Sequence, residues 1–302
     1  MDRTYTILRY NPGTFLGEPF YDWRGRLFEE LARHLSSRGM RVRVEERSSF
    51  RVRRSRFETR RIPILDSLAI LQNDRTGEYC VLDCHDWTVT KELDLLAGDA
   101  GCKRILKCQY RPTAFAGPRY RKVRRWTYFD RFWPEKEHAI VADRATPRTS
   151  DALYFRGSDW GPRDRILQEL GDREVISGDR RAIEFDAYFR ESARHRVMLS
   201  LPGIADVCNR DVECFGRGVC VLRPRLRAEL HHGLIPDHHY VSVDVHVGRA
   251  DPVEVADAIA RRFRDVAGDH AYLDAVARNA AQWYDENVRV GAAMSLTARL
   301  LA

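Results

Sequence analysis

Residues 197–224, VMLSLPGIADVCNRDVECFGRGVCVLRP, constrain the fold more than any other part of the chain. An apolar run of strand length, residues 197–201, is followed by a short helical pattern at residues 209–216 and a second apolar strand at residues 219–222. Strand, helix and strand in this order form half of a doubly wound sheet. In such sheets, ligands bind beyond the carboxyl ends of the strands.

The rest of the chain repeats this alternation of strands and helices in two halves. A length of 302 residues is typical of two domains, and the Pro-, Thr- and Ser-containing segment at residues 145–151 marks the boundary between them. We therefore predict an α/β protein with two Rossmann-like domains that face a cleft. The predicted domains are residues 1–150 and residues 151–302, with a last helix that can cross back onto the first domain.

Arg210 and Glu213 lie three residues apart on one face of the helix predicted at residues 209–216. At the mouth of a doubly wound sheet, the guanidinium can fork onto a diphosphate, and the carboxylate can accept from a ribose hydroxyl or hold the arginine. The alternative is a weak, exposed ion pair between the two side chains.

A second strand of the same half ends in a comparable set of residues. Arg156 follows the strand, Gly157 allows a close approach of the backbone to a ligand, and Ser158 offers a hydroxyl and an amide. Arg163 opens the next helix. Because two neighbouring strand ends then point cations at one place, this pattern predicts an anion site shared with Arg210.

The arginines are concentrated in two runs, which contribute to a net charge of +7. Residues 41–61 contain nine arginines, and residues 119–126 read RYRKVRRW. Basic runs with interleaved aromatic residues can bind nucleic acid or phosphorylated ligands. The alternation of charged and apolar residues in the first run favours instead strands with one solvated, cationic face.

Cysteine, histidine and apolar patterns bear on the compartment and on metal binding. Seven scattered cysteines without a Cys-x-x-Cys pair favour buried thiols in a reducing cytoplasm over disulfides. The pairs His231-His232 and His238-His239 lack the spacing of a zinc site, so no metal is expected. No apolar run has the length of a membrane span, and we expect a cytoplasmic protein.

Three segments resemble the CAP10/Rumi-like glycosyltransferases (glycosyltransferase family 90). They are YFRGSDWGPRDRIL from Tyr154, NRDVECFGRGVCVLRP from Asn209 and LIPDHHYVSVDV from Leu234. They keep the family's order and spacing between Asp151 and Asn287, although Ser242 stands where the family usually has proline.

The resemblance implies a GT-B-like, inverting enzyme that uses a UDP-sugar, with glucose or xylose as the expected sugar, and needs neither metal nor cofactor. It assigns Arg156, Ser158, Arg163 and Arg210 to the diphosphate and nucleotide. Gly157 and Gly203, which follow the two strands, complete the predicted donor site. The role of Glu213 rests on its position alone.

The resemblance also implies a catalytic base, an aspartate just past a strand of the first half. The segment DCHDW, residues 83–87, matches this pattern with Asp86, which we predict to be the base. Asp83 is the alternative base, and His85 can orient either carboxylate. Asp86 can instead be a cap of the following helix.

The predicted acceptor is a small molecule or a glycan, which the basic runs can select for negative charge. Two rival interpretations remain. One is a protein that binds nucleic acid or another polyanion on the same fold, although nucleic acid is the less favoured partner. The other is a transferase that uses GDP- or dTDP-sugars.

Overall fold

The structure, a computed structural model, describes residues 4–9, 23–53, 58–64, 68–85, 89–128, 136–157, 163–178, 183–203 and 205–301. Within these ranges the α/β class is confirmed. The strands are β1 (Thr4–Arg9), β2 (Arg41–Glu46), β3 (Ser49–Arg53), β4 (Thr59–Pro63), β5 (Leu68–Asn73), β6 (Tyr79–Asp83), β7 (Cys102–Lys107), β8 (Val123–Arg125), β9 (Ser150–Tyr154), β10 (Ile176–Ser177), β11 (His195–Leu199), β12 (Cys220–Pro224) and β13 (Val241–Val243). The helices are α1 (Trp23–Ser37), α2 (Lys91–Gly98), α3 (Glu137–Ala142), α4 (Arg163–Asp172), α5 (Phe185–Ser192), α6 (Asn209–Arg217), α7 (Pro252–Val266), α8 (His270–Asn287) and α9 (Val290–Leu301).

Internal contacts divide the chain into two compact units. Unit 1 contains Met1–Glu135, Ala228–His232 and Asn287–Ala302, and unit 2 contains Lys136–Arg227 and Gly233–Glu286. The predicted boundary between residues 150 and 151 therefore lies inside unit 2.

Two ion pairs explain why the residues just before the predicted boundary belong to unit 2. Asp143 Oδ2 accepts a hydrogen bond from the buried Arg217 Nε at 2.7 Å. Arg144 pairs with Asp285 at 2.8 Å. These bonds tie residues 143 and 144 to α6 and α8, both of which lie in unit 2.

Unit 1 is built on a six-stranded mixed sheet in the order β2-β1-β5-β6-β7-β8. β5 is antiparallel to both of its neighbours, whereas β6, β7 and β8 are parallel to one another. α9 belongs to this unit and packs on α1. A hydrogen bond of 2.9 Å from Trp126 Nε1 to Thr297 Oγ1, both buried, anchors α9 beside the end of β8.

A separate two-stranded antiparallel sheet, β3 and β4, lies in unit 1. The stretch at residues 62–72 is divided between β4 and β5. The reason is pairing: Ile62 of β4 lies opposite Phe50 of β3, whereas Leu71 of β5 pairs with β1 and β6.

Unit 2 is built on a five-stranded, fully parallel sheet in the order β10-β9-β11-β12-β13. Parallel strands need crossover helices, which cover the faces of the sheet. α4 and α7 pack on each other and bury apolar side chains against β9, β11 and β12. Buried members of this core include Leu153, Ile166, Val197, Leu222 and Ile259.

Candidate functional site

The strand order of unit 2 reverses between β9 and β11. Along the chain, β9 is followed by β10 on one side of it and then by β11 on the other. A reversal of this kind opens a crevice at the carboxyl ends of the two central strands, which is where doubly wound sheets bind ligands. We call the residues at this point the switch-point crevice: Arg156, Gly157, Arg163, Gly203 and Arg210.

Arg163 connects the two loops of the switch-point crevice. It opens α4 after β9, and its guanidinium donates to the carbonyl oxygens of Leu201 at 2.5 Å and Pro202 at 3.0 Å, just beyond β11. A Cβ at Gly203 would lie 2.9 Å from Arg163 Nη2, so the guanidinium needs a glycine beside it. Burial lowers the pKa of Arg163. Arg163 therefore clamps the two loops together.

Arg210, on the first turn of α6, reaches back to the end of β9. Its Nη2 donates to the backbone carbonyl of Arg156, and its guanidinium carbon lies 4.3 Å from the centre of the Phe155 ring. A Cβ at Gly157 would collide with this guanidinium, and Gly157 has a φ of 148°. Arg210 Nε is buried and has no hydrogen-bond partner in the described part of the chain.

Arg156 lies at the same strand end, but its guanidinium already forms an ion pair with Glu191. Its Nη2 donates to both carboxylate oxygens of Glu191 on α5, at 2.7 and 2.6 Å. Burial works against ionisation, but hydrogen bonds to Glu191 and Tyr154 raise the pKa of Arg156. Arg210 therefore reaches the backbone of Arg156, whereas the Arg156 side chain is bound to Glu191 and must exchange it for any bound anion.

A buried network fixes the start of α6 and thereby the position of Arg210. Arg223, at the end of β12, is fully buried and binds the Asp211 carboxylate and the carbonyl oxygen of Asp206, the latter at 2.7 Å. Asp211 also accepts from the amide of Cys208 at 2.8 Å, which caps the helix. The direction of Arg210 is thus set by a rigid helix start.

Of two further residues predicted for the donor site, Glu213 and Ser158, only Glu213 lies in the described part of the chain. Glu213 is only 5% exposed and lies close enough to Tyr188 for its charge to raise the pKa of that phenol, after the larger effect of burial. No ion pair joins Glu213 to Arg210 among the described residues, so the alternative of an exposed pair is wrong. Ser158 lies outside the described residues.

A cavity of about 470 Å³ lies at the carboxyl ends of the neighbouring strands β11, β12 and β13. It is lined by Pro202, Asp206, residues 224–227 and residues 244–247. Cavities of this size commonly hold small organic ligands. We call it the edge cavity; it extends the row of strand ends that begins at the switch-point crevice.

The edge cavity combines apolar and polar lining residues. Arg227 Nη1 donates to His246 Nε2 at 2.6 Å, and His246 Nδ1 donates to the carbonyl oxygen of Val247 at 3.0 Å. These bonds require the tautomer of His246 with the proton on Nδ1. Sequence patterns did not single out these residues, because they lie in loops without periodicity.

In unit 1, Asp83 ends β6 and is buried against Lys107, which ends β7. The Lys107 ammonium donates to Asp83 Oδ1 at 3.0 Å and to the carbonyl oxygen of His85 at 2.7 Å. The amide of His85 donates to the same carboxylate oxygen at 2.8 Å. Both members of the pair are at most 1% exposed. This pair therefore anchors the loop that leads to Asp86, which itself lies outside the described residues.

Other predictions about the site concern metals, thiols and membranes. In the described ranges, no group of three or more His, Cys, Asp or Glu side chains could hold a metal ion. All seven cysteines are free thiols, and five of them are buried. None of the helices in these ranges is both long enough and apolar enough to cross a bilayer.

Comparison with known proteins does not extend this description. No protein-family model matches the chain, and no curated protein matches it significantly.

Proposed function

We propose that the chain is an inverting, metal-independent glycosyltransferase of GT-B architecture that transfers glucose or xylose from a UDP-sugar to an acceptor hydroxyl. Unit 2 would bind the donor, and unit 1 would supply the base. One observation carries the proposal: at the switch-point crevice, the buried Nε of Arg210 lacks a partner among the described residues. An unsatisfied buried donor costs about 1–3 kcal/mol, which a bound anion would recover.

The chemistry of the leaving group explains why a guanidinium belongs at this position. When the bond from the sugar to the diphosphate breaks, negative charge grows on the departing oxygen. Without a metal, fixed hydrogen-bond donors must stabilise that charge more strongly in the transition state than in the ground state. Arg210 would bind the diphosphate directly, and Arg156 would join it by releasing Glu191.

The edge cavity supports a donor that is larger than a diphosphate. It follows the switch-point crevice along the same row of strand ends, and its volume of about 470 Å³ is in the range of pockets that bind small organic ligands, a class that includes nucleosides. The polar side chains of Asp206, Arg227 and His246 line it, and contacts with hydroxyls or a base would extend or replace the hydrogen bonds that they already form. We assign the nucleoside of the donor to this cavity.

Two aspartates that follow β6 in sequence or end it, Asp83 and Asp86, are the candidates for the catalytic base. Asp83 is at most 1% exposed, so an acceptor hydroxyl cannot reach its carboxylate without a rearrangement of the surrounding residues. The position of Asp83 favours a structural role, in which it supports the loop that follows β6. We retain Asp86 as the proposed base, on the basis of the family resemblance alone, with His85 next to it in the sequence.

A thermal-shift experiment with nucleotides tests the donor site. A ligand that binds only the folded state raises the melting temperature, by about 5 °C or more when it is present at a hundred times its Kd. We expect UDP to give this shift and Arg210→Ala to abolish it. The control is Arg264→Ala, an exposed arginine on α7 of the same unit, which should keep the shift.

The outcomes separate the rival donors and the base. A shift with GDP or dTDP but not with UDP would keep the site and replace the donor, whereas no shift with any nucleotide would overturn the proposal. Asp86→Asn should keep the UDP shift and lose turnover, measured as sugar transfer by mass spectrometry, by about 100-fold or more. Full activity of that variant would assign the base to another residue.

A further inference from the structure

The two-stranded sheet of β3 and β4 has two chemically different faces. One face packs into the core of unit 1 through Phe50, Val52 and Ile62. Because side chains alternate across a strand, the intervening residues point to the opposite face. Three of them are exposed arginines, which we call the hairpin face: Arg51, Arg53 and Arg61.

The arginines of the hairpin face lie close together, and no acidic partner for them lies within the part of the chain that the structure describes. Arg51 is directly opposite Arg61 in the antiparallel register. Like charges in this arrangement are destabilising. Among the described residues, none of the three forms an ion pair, whereas Arg43, Arg47 and Arg60 nearby in the sequence each pair with a glutamate.

The second basic run reaches the same place through Asp99. Asp99 Oδ2 accepts from the backbone amide of Arg53 at 2.7 Å, and its Oδ1 accepts from the amide of Gly101 at 2.6 Å. The backbone carbonyl of Asp99 accepts from Lys122 Nζ at 2.5 Å. The Asp99 carboxylate is thus hydrogen-bonded to backbone amides, and Lys122 adds a cation at the residue that holds the backbone of Arg53.

We infer that the hairpin face binds the phosphate backbone of a nucleic-acid duplex, independently of base sequence. Guanidinium groups match phosphate geometry, and arginines two residues apart on a strand are about 7 Å apart, so each can meet a different phosphate. The described residues of this face, at positions 49, 51, 53, 59, 61 and 63, include no aromatic side chain. Single-strand binding uses aromatic stacking, so a duplex is the better match.

This inference concerns unit 1 and does not depend on the donor site proposed in unit 2. Backbone contacts of this type are electrostatic, and each neutralised phosphate adds about 0.9 to the slope of log K against log salt concentration for duplex DNA. Three arginines on phosphates would therefore account for a slope of about 2–3. This quantity can be measured without knowing the natural ligand.

The experiment measures binding of a fluorescein-labelled DNA duplex of arbitrary sequence to the full chain by anisotropy, over a range of salt concentrations. We expect the triple variant R51Q/R53Q/R61Q to reduce the salt slope by about 2–3 and the affinity by about tenfold or more at low salt. The matched control, R43Q/R47Q/R60Q, removes the same charge from arginines that have glutamate partners. It should change the slope by less than about 1.

Each alternative outcome overturns the inference. Equal losses in both triple variants would show that only net charge matters, and an unchanged slope in R51Q/R53Q/R61Q would exclude the hairpin face. Tighter binding to heparin or to phosphatidylserine vesicles than to DNA would identify another class of polyanion. A circular dichroism spectrum of R51Q/R53Q/R61Q that matches the unmodified chain shows that the variant is folded, so a loss of DNA binding is then a loss of contacts, whatever the effect of UDP on unit 2.

Discussion

The carboxyl ends of parallel strands are closed in unit 1 and open in unit 2. In unit 1, Asp83 and Lys107 pair with each other, both buried, at the ends of β6 and β7, although Asp83 Oδ2 has no hydrogen-bond partner among the described residues. In unit 2, the equivalent ends of β9 and β11 carry Arg210, which has an unsatisfied Nε, and the neighbouring strands end at a cavity. Charged residues at a strand end are thus common to both units. Each member of the structural pair in unit 1 has an oppositely charged partner, whereas Arg210 has no acidic partner among the described residues and lies in the same row of strand ends as a cavity.

Removal of the Lys107 ammonium should have the largest effect on stability. Lys107→Met would leave the Asp83 carboxylate buried and unpaired, which costs about 3–5 kcal/mol of unfolding free energy. The measurement is urea denaturation followed by circular dichroism. The control is Lys103→Met on the same strand. Lys103 forms an exposed ion pair with Glu78, and the loss of this pair should cost less than about 1 kcal/mol. Similar losses of unfolding free energy in both variants would contradict a structural role for the Asp83–Lys107 pair.

An intermediate effect should come from the buried His239 of unit 2. Burial lowers its pKa from 6.5 to about 4, and its Nδ1 accepts from the amide of Ile235 at 2.8 Å. The unfolded chain therefore binds a proton that the folded chain does not, and stability is lost as the pH falls from about 6.5 to about 4. The loss is at most about 3 kcal/mol.

Urea denaturation of the His239→Gln variant at several pH values tests this effect. Protonation of His239 lowers the unfolding free energy of the unmodified chain between pH 7 and pH 4. The variant, which has no histidine at this position, should lack most of that decrease. His238→Gln, at the exposed neighbouring residue, should keep that difference. An unchanged pH dependence in His239→Gln would mean that other buried histidines with a lowered pKa, such as His195, account for it.

The smallest effect is expected for Arg210 itself. Because Arg210→Ala removes one described hydrogen bond, a contact with Phe155 and an already unsatisfied donor, unfolding free energy should change by about 1 kcal/mol or less. Arg223→Met, which breaks a buried pair in the same unit, should cost about 3–5 kcal/mol. If Arg210→Ala is as costly as Arg223→Met, then Arg210 is a structural arginine and the open end of unit 2 is not a ligand site.

Sequence reasoning located the elements of unit 2 that bring Arg210 to the end of β9. The strand–helix–strand order predicted at residues 197–224 is present as β11, α6 and β12. The contact of Arg210 with the backbone of Arg156 follows from that order, because both residues lie at carboxyl strand ends of one parallel sheet.

The features that the sequence did not predict depend on contacts between distant residues. Lys107 lies 24 residues from Asp83, and only the parallel register of β6 and β7 places them opposite each other. The edge cavity needs three strand ends side by side, and the partnership of Arg156 with Glu191 needs the packing of α5. No local pattern specifies these distances.

Both units are discontinuous in the chain, and this has consequences for biosynthesis. Unit 1 includes α9, so its tryptophan-to-threonine bond and the packing of α1 on α9 cannot form until Val290–Leu301 have left the ribosome. Unit 2, whose segments are contiguous except for five residues, can acquire its parallel sheet earlier. A chain truncated before α9 should therefore leave the N-terminal strands without their closing helix, and no single proteolytic cut can release either unit intact.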